Sequence, residues 1–201
     1  MIGNRDLKIG GILLAAGGST RLGRPKQFLE FEGKTLLRRS AEAMCASMCD
    51  PVVAVLGAEH EKAEAEITDL PLAMCRNEEW TSGMSSSIKL GLRELLLVEP
   101  EIDAVVVTLC DQPFVNAETV NRLAEKFAET KSRMVAAKYD GVAGVPAVFS
   151  NDMFDALARL EGDKGARDLL RDPNASVETI EINVAAIDID SPDDVDRLKP
   201  L

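Results

Sequence analysis

Histidine is nearly absent from this chain, since its 201 residues include a single one, His60, in the charged stretch Glu59-His60-Glu61-Lys62. A serine or cysteine nucleophile needs a nearby base, which is usually histidine. If Cys110 were a nucleophile, its one candidate base would be His60, which lies in a charged segment and is unpromising as a catalytic base. The four cysteines, at positions 45, 49, 75 and 110, form no CxxC pair. A structural zinc site is disfavoured, and we expect buried free thiols in a reducing cytoplasm.

Positive charge is also scarce, because 23 lysines and arginines face 34 aspartates and glutamates, which gives a net charge of −11. A protein that holds nucleic acid by its phosphates needs a basic surface, so we expect no nucleic-acid partner. No apolar run approaches the ~20 residues of a membrane span. Glycines at 10, 11, 17 and 18 crowd the first apolar stretch and make it a poor secretory signal. We expect a cytoplasmic protein, not membrane-bound, with residues 1–201 forming a single domain.

A glycine-rich, cationic loop follows the first apolar run. That run begins at Ile9 and predicts a buried strand, after which glycines, hydroxyls and cations fill positions 17–26. Glycines let backbone N–H groups approach a ligand and form an anion nest. Arg21 and Lys26 add full charges, so the loop predicts a polyphosphate ligand. The alternative is a glycine-rich surface turn with solvated cations.

Two better-known phosphate loops do not match. Residues 18–23 have the glycine spacing of a Walker A motif, but Arg24-Pro25 stands where that motif needs Lys followed by Ser or Thr. The dinucleotide fingerprint GxGxxG is broken by Gly17-Gly18-Ser19. ATPase and dehydrogenase functions are therefore disfavoured.

Helix and strand patterns alternate along the chain, which predicts a parallel sheet with helices on its faces. A turn at 141–144 and an extended segment at 145–149 come late, and Pro146 favours an edge position for that segment. The predicted helices are 35–47, 59–69, 116–130, 152–160 and one starting at Ser191-Pro192; the predicted strands start at Ile9 and cover 51–57, 72–76, 103–109, 134–139 and 177–182.

Three later segments carry polar groups. Gly83 and the serines at 85–87 open a helix and predict a second anion or base-edge site, the alternative being an N-cap with redundant serines. Residues 161–167 form a charged loop that is either a substrate lid or a surface turn. Asp111 ends the strongest strand pattern. The carboxyl ends of parallel strands share one edge of the sheet, so Asp111 should face the same crevice as the glycine loop.

A carboxylate beside a polyphosphate predicts a Mg²⁺ ligand. Asp190, after the late apolar and acidic alternation, is the candidate second ligand, and Asp188 is its nearest competitor. For Asp111 the alternative is a capping aspartate ahead of Pro113.

With these motifs in view, the chain resembles the MobA-like nucleotidyltransferases over nearly its whole length, and most of all the molybdenum cofactor cytidylyltransferase group. The motifs are Leu14-Ala15-Ala16-Gly17 with Arg21, Gly23 and Lys26; Gly83-Met84-Ser85-Ser86-Ser87; Cys110-Asp111-Gln112-Pro113; Gly144 with Pro146 and Phe149; Gly162-Asp163-Lys164-Gly165-Ala166-Arg167; and Asp188-Ile189-Asp190-Ser191-Pro192.

The resemblance implies a three-layer α/β/α Rossmann-like fold with a mostly parallel sheet, and Mg²⁺-dependent transfer of CMP from CTP to the phosphate of molybdopterin, with release of pyrophosphate. It implies catalytic roles for Arg21, Lys26 and Asp111, and metal ligation by Asp111 and Asp190. The implied nucleotide-binding residues are Leu14, Ala15, Ala16, Gly17, Gly18, Ser19, Arg21, Lys26, Gly83, Ser87 and Asp111. The implied substrate-binding residues are Ser85, Ser86, Gln112, Pro113, Gly144, Pro146, Gly162, Asp163, Lys164, Gly165 and Arg167.

Two details bear on specificity. Guanylyl-transferring relatives have a second glycine where this chain has Ala16, so the resemblance favours CTP. Many relatives have histidine where this chain has Val145, so the resemblance leaves open which phosphate compound is the acceptor. The alternatives are a sugar- or alditol-phosphate nucleotidyltransferase and a non-catalytic molybdopterin carrier that serves a molybdenum hydroxylase. A reductase is the weakest, because the dinucleotide fingerprint is missing.

Overall fold

The computed structural model describes residues 7–18 and 25–187. Seven strands of this part form one sheet in the order β5-β4-β1-β6-β8-β7-β9, and β2 and β3 form a separate hairpin. The strands are β1 (Ile9–Ala15), β2 (Glu30–Phe31), β3 (Lys34–Thr35), β4 (Val52–Leu56), β5 (Ala73–Arg76), β6 (Ala104–Leu109), β7 (Met134–Tyr139), β8 (Val142–Ser150) and β9 (Val177–Glu181). The helices are α1 (Leu36–Cys45), α2 (His60–Ile67), α3 (Met84–Val98), α4 (Ala117–Thr130), α5 (Phe154–Ala158) and α6 (Arg167–Leu170).

The sheet is buried on both faces, as the continuous apolar runs predict. β1 lies between β4 and β6, parallel to both, and every one of its residues is buried. Helices α1, α2 and α4 pack on one face, and α3, α5 and α6 pack on the other. The predicted three-layer α/β architecture with a mostly parallel sheet is thus confirmed.

Small residues bring the helices close to the sheet. A Cβ on Gly11 of β1 would lie 2.4 Å from Cε of Met44, and a Cβ on Gly91 of α3 would lie 2.7 Å from Cγ2 of Ile12. Real atoms do not approach this closely. The end of the flexible Met44 side chain can move away from Gly11, whereas the branched Ile12 is held in the buried sheet, so packing requires the glycine most strictly at Gly91.

The late extended segment corrects two expectations. It is not an edge strand, because β8 lies between β6 and β7 and runs antiparallel to both. The turn predicted at 141–144 is also shorter, since Val142 already pairs with Tyr139. The pairing of β7 with β8 jumps from Ala147 to Gly144. Pro146 lies in this bulge, where the missing proline N–H is not needed for the ladder.

Side chains cap the starts of α1 and α4. The Thr35 hydroxyl accepts from the Arg38 N–H at 3.1 Å, and the Asn116 carboxamide accepts from the Thr119 N–H at 2.9 Å. The predicted final helix and the acids Asp188 and Asp190 lie outside the described residues. Within 7–18 and 25–187, no helix is both long enough and apolar enough to cross a membrane.

Candidate functional site

The candidate site lies where the chain changes direction in the sheet. From β1 the chain passes through α1 to β4 on one side, whereas β6 returns on the other side of β1. The loops after β1 and β6 therefore leave from the same edge and open a crevice between them. A hydrogen bond of 3.1 Å from the Cys110 N–H to the Leu14 carbonyl joins the two strand ends.

Lys26 and Asp111 meet at this edge. The Lys26 ammonium donates to Oδ2 of Asp111, and the two side chains are 20% and 13% exposed. The two residues are 85 positions apart in the chain, so only the crossover brings them together. Of the other predicted loop residues, Ser19, Arg21 and Gly23 lie outside the described residues.

The second carboxylate oxygen of Asp111 is a candidate metal ligand. Its Oδ1 is buried and has no hydrogen-bond partner within residues 7–18 and 25–187. A buried carboxylate oxygen without a partner is costly, and a cation is the group that relieves that cost. The donor therefore fits Mg²⁺, which takes one or two carboxylates and completes its shell with phosphate oxygens and water. Within the part of the chain that the structure describes, no three acidic, histidine or cysteine side chains form a metal cluster.

The described part of the glycine loop offers backbone rather than side chains. Leu14, Ala15 and Ala16 are buried, so a ligand would meet only their peptide groups. Gly17 is exposed, and a Cβ there would meet nothing within 4 Å. A Cβ on Gly18 would instead lie 2.7 Å from the Trp80 ring.

Trp80 is a contact that the sequence analysis missed. It is the chain's single tryptophan and lies three residues before Gly83. Its closeness in sequence to that predicted site residue is the feature that could have identified it.

The serine-rich start of α3 touches the loop at 161–167. Gly83 has a positive φ of 111°, and a Cβ on it would lie 2.5 Å from Oδ1 of Asp163. The Ser85 N–H donates to the Gly162 carbonyl at 3.2 Å. Two segments that the resemblance assigns to the substrate site are thus neighbours.

The remainder of that loop has other contacts. Gly165 packs under Met84, where a Cβ would lie 2.7 Å from the sulfur. Lys164 and Arg167 are exposed, and Lys164 forms an ion pair of 3.3 Å with Asp168. No contact in the described structure joins these two cations to Lys26 or Asp111, and their substrate role stays a prediction.

Gln112 and its neighbours connect the site to the β8 bulge. The Gln112 amide donates to the carbonyls of Val145 at 3.1 Å and Ala185 at 2.8 Å. Its Oε1 is buried, and no group in the described part of the chain donates to it. Pro113, Gly144 and Pro146 are buried beside this bridge. A Cβ on Gly144 would lie 2.3 Å from the Tyr139 hydroxyl, so this glycine is required by packing.

Cysteine chemistry is excluded at the site. Burial, and secondarily the charge of Asp111, raises the pKa of the Cys110 thiol to about 12. The thiol therefore stays protonated at neutral pH, and the thiolate is the nucleophilic form. All four cysteines are free, and Cys49 and Cys110 are buried; the expected burial is thus confirmed for these two, while Cys45 and Cys75 are half-buried.

Comparison with known proteins gives one family. The family model described as "MobA-like NTP transferase domain" matches residues 11–179. "Nicotine blue oxidoreductase" of Paenarthrobacter nicotinovorans is 33% identical over 100% of this chain and 98% of its own length. "Purine catabolism protein PucB" of Bacillus subtilis is 27% identical over 94% and 95% of the two chains. "Probable molybdenum cofactor guanylyltransferase" of Methanosarcina acetivorans is 31% identical over 63% and 59%.

A solved structure of similar shape is Rv0371c from Mycobacterium tuberculosis H37Rv. Its TM-score is 0.82 and its identity 28%, over 96% of this chain and 97% of that one. A second structure of that protein is a complex with manganese and has a TM-score of 0.79, with 27% identity over 95% and 97% of the two chains.

Proposed function

The chain belongs to the MobA-like NTP transferase family and is a nucleotidyltransferase, and we propose that it transfers CMP from CTP to the phosphate of a molybdopterin-type acceptor, with release of pyrophosphate. The observation that carries the proposal is the meeting of Lys26 with Asp111 at the ends of β1 and β6. One carboxylate oxygen is left for a cation, and the exposed backbone of Gly17 lies in the same loop as Lys26.

The reaction brings two anions together. An oxygen of the acceptor phosphate attacks the α-phosphorus of the nucleotide, a new P–O bond forms, and the bond to the bridging oxygen breaks so that pyrophosphate leaves. Lys26, with Arg21 as the predicted second cation, offsets the repulsion and the charge that collects on pyrophosphate. Mg²⁺ held by Asp111, with Asp190 as the proposed second ligand, would supply further positive charge on the triphosphate when bound.

No general base is needed, because a phosphate acceptor is already ionised at neutral pH. This requirement agrees with the chain's single histidine, His60, which starts α2, and with a Cys110 thiol that stays protonated. The residues that act are a cation, a carboxylate and backbone N–H groups.

The choice of CTP and of the acceptor has separate support. Ala16 stands where guanylyl-transferring relatives carry glycine, which favours CTP. A relative whose name includes the molybdenum cofactor favours a molybdopterin-type acceptor. Release of the product to a molybdenum hydroxylase, and a cytoplasmic location, belong to the same proposal. A sugar or alditol phosphate is the alternative acceptor.

Incubation with CTP, Mg²⁺ and each candidate acceptor, followed by measurement of pyrophosphate, tests the proposal. Molybdopterin should give turnover, and Asp111→Ala should abolish it. Turnover only with a sugar or alditol phosphate would replace the acceptor. A protein that transfers bound molybdopterin equally well with Asp111→Ala would be a carrier.

An oxidoreductase activity is the second candidate, since a relative that is 33% identical over the whole chain bears that name. It predicts binding of NADH or NADPH, which energy transfer from Trp80 to the nicotinamide would report. The absence of such binding would remove this candidate.

A further inference from the structure

Asn77 joins three segments around the start of α3. This residue comes directly after β5 and is 5% exposed. Its N–H donates to the Leu56 carbonyl at 2.7 Å, and its Oδ1 accepts from the Glu79 N–H at 3.0 Å. Its Nδ2 donates to the hydroxyls of Ser86 at 2.8 Å and Ser87 at 2.9 Å.

These bonds determine which way the side chain amide faces. The Glu79 N–H can only donate, so it requires the carbonyl oxygen of Asn77 on its side. Both amide protons then point to the two serines, and each serine hydroxyl must accept.

The two serines differ in where their own protons go. The Ser86 hydroxyl shares its single proton between the Gly83 carbonyl at 2.8 Å and the Glu79 carbonyl at 3.1 Å. For Ser87, no residue in the described part of the chain accepts its proton. Ser85, in the same turn, has a buried hydroxyl with no hydrogen-bond partner among the described residues. Two hydroxyls therefore remain available at the start of α3, and Asn77 makes one of them a donor.

We propose that Asn77 is a positioning residue of the nucleotide site and that it sets the base preference by making the Ser87 hydroxyl a hydrogen-bond donor. This rests on the proposed function and on the nucleotide-binding role that the family resemblance implies for Gly83 and Ser87 at the start of α3. Cytosine presents two neighbouring acceptors, O2 and N3, whereas guanine presents two donors, N1–H and N2–H, at its corresponding edge. A donating hydroxyl therefore favours CTP over GTP.

Asn77→Asp tests this directly. Aspartate has the same shape and still accepts from the Glu79 N–H, but its second oxygen accepts where Nδ2 donated. The Ser87 hydroxyl must then donate to this carboxylate and present lone pairs to the nucleotide. We expect the CTP-to-GTP affinity ratio to fall about tenfold or more, measured with Mg²⁺ by the fluorescence of Trp80, the single tryptophan.

A double-mutant cycle separates orientation from added charge. In a Ser87→Ala background, Asn77→Asp should leave the CTP-to-GTP ratio unchanged within about twofold, because the oriented hydroxyl is gone. Ser82→Ala is the matched control, since Ser82 lies in the same segment, is not among the implied binding residues, and donates its hydroxyl proton to the Glu79 carbonyl at 2.8 Å. It should keep the wild-type ratio within about twofold.

The inference is overturned if Asn77→Asp leaves the CTP-to-GTP affinity ratio unchanged, or if it lowers that ratio equally with and without Ser87. A wild type that binds GTP more tightly than CTP also overturns it. If Asn77→Asp does not fold, Asn77→Gln displaces the same donors and should lower the ratio at least about threefold; no change would overturn the inference. A wild type that prefers UTP contradicts only the proposed use of CTP, because uracil O2 is also an acceptor for the Ser87 hydroxyl. The double-mutant cycle is then measured with UTP in place of CTP.

Discussion

Replacing Asp111 by asparagine separates the two effects of its charge. Asparagine keeps the shape of the side chain and removes the negative charge beside Lys26. Without a divalent ion, Asp111 repels the triphosphate and engages Lys26. One unit charge about 5 Å from another, at an effective dielectric constant of about 20, contributes about 3 kcal/mol. Since Lys26 already offsets part of this repulsion, we expect CTP to bind Asp111→Asn up to about tenfold more tightly in the presence of a chelator.

With Mg²⁺ present, we expect Asp111→Asn to have the opposite effect on nucleotide affinity. The variant lacks a charged ligand for the ion, so binding of the nucleotide with metal should weaken. A lost charge contact at the transition state costs on the order of 3 kcal/mol, which is about a hundredfold in kcat. Titrations of Trp80 fluorescence with and without Mg²⁺ measure the two affinities, pyrophosphate release measures kcat, and electron paramagnetic resonance measures binding of Mn²⁺.

Asp103→Asn provides the matched control. Asp103 precedes the opposite end of β6 and accepts from the Lys8 N–H at 2.9 Å, which an asparagine oxygen can also do. We expect both affinities and kcat to stay within about twofold of wild type. A loss of CTP affinity in Asp111→Asn that is the same with and without Mg²⁺, or a kcat within about threefold of wild type, would refute the reasoning.

Three further expectations follow from individual residues. Gly18→Ala should weaken CTP binding about tenfold and shift Trp80 emission, because its Cβ would press on the indole, whereas Gly17→Ala should leave Trp80 emission unchanged; an unshifted emission in Gly18→Ala would contradict this. Cys110→Ala should retain kcat within about threefold, since the raised pKa keeps the thiol protonated; loss of turnover would contradict this. Lys34 and Arg38 hold the pKa of Glu42 below its usual value of 4.5. Its contribution to stability is therefore complete above pH 4.5 and is lost as the pH falls through the lowered pKa. Urea unfolding of Glu42→Gln should show a deficit of roughly 0.5–1 kcal/mol at pH 7 that disappears in acid; a deficit that is constant with pH would contradict it.

Much of the architecture was predictable because it depends on local patterns. The apolar runs of β1 and β6, and the helical patterns at 35–47 and 116–130, predict strands and helices close to those observed. The position of β8 was not predictable in this way. Pro146 is typical of an edge, and only the bulge opposite β7 lets it lie in a central strand.

The contacts of Asn77 and Gln112 were missed for a related reason. Both are ordinary polar residues in the sequence, and their partners belong to other segments. Gln112 bonds Ala185, which is 73 positions away. No local pattern indicates that the Gln112 amide will be buried and will donate to such distant carbonyls, or that the Asn77 amide will donate to two serines of the next helix.

By itself, the sequence determined where this protein changes from apolar strand to glycine, cation or carboxylate, because hydrophobic period and residue type are properties of neighbouring positions. Only the tertiary structure decided that Lys26 meets Asp111 and that Asn77 bonds the serines of α3. Lys26 and Asp111, 85 positions apart, become neighbours only when the crossover helices bring parallel strands side by side with their carboxyl ends at one edge. Asn77 meets the serines, nine and ten positions away, because the chain turns back between β5 and α3.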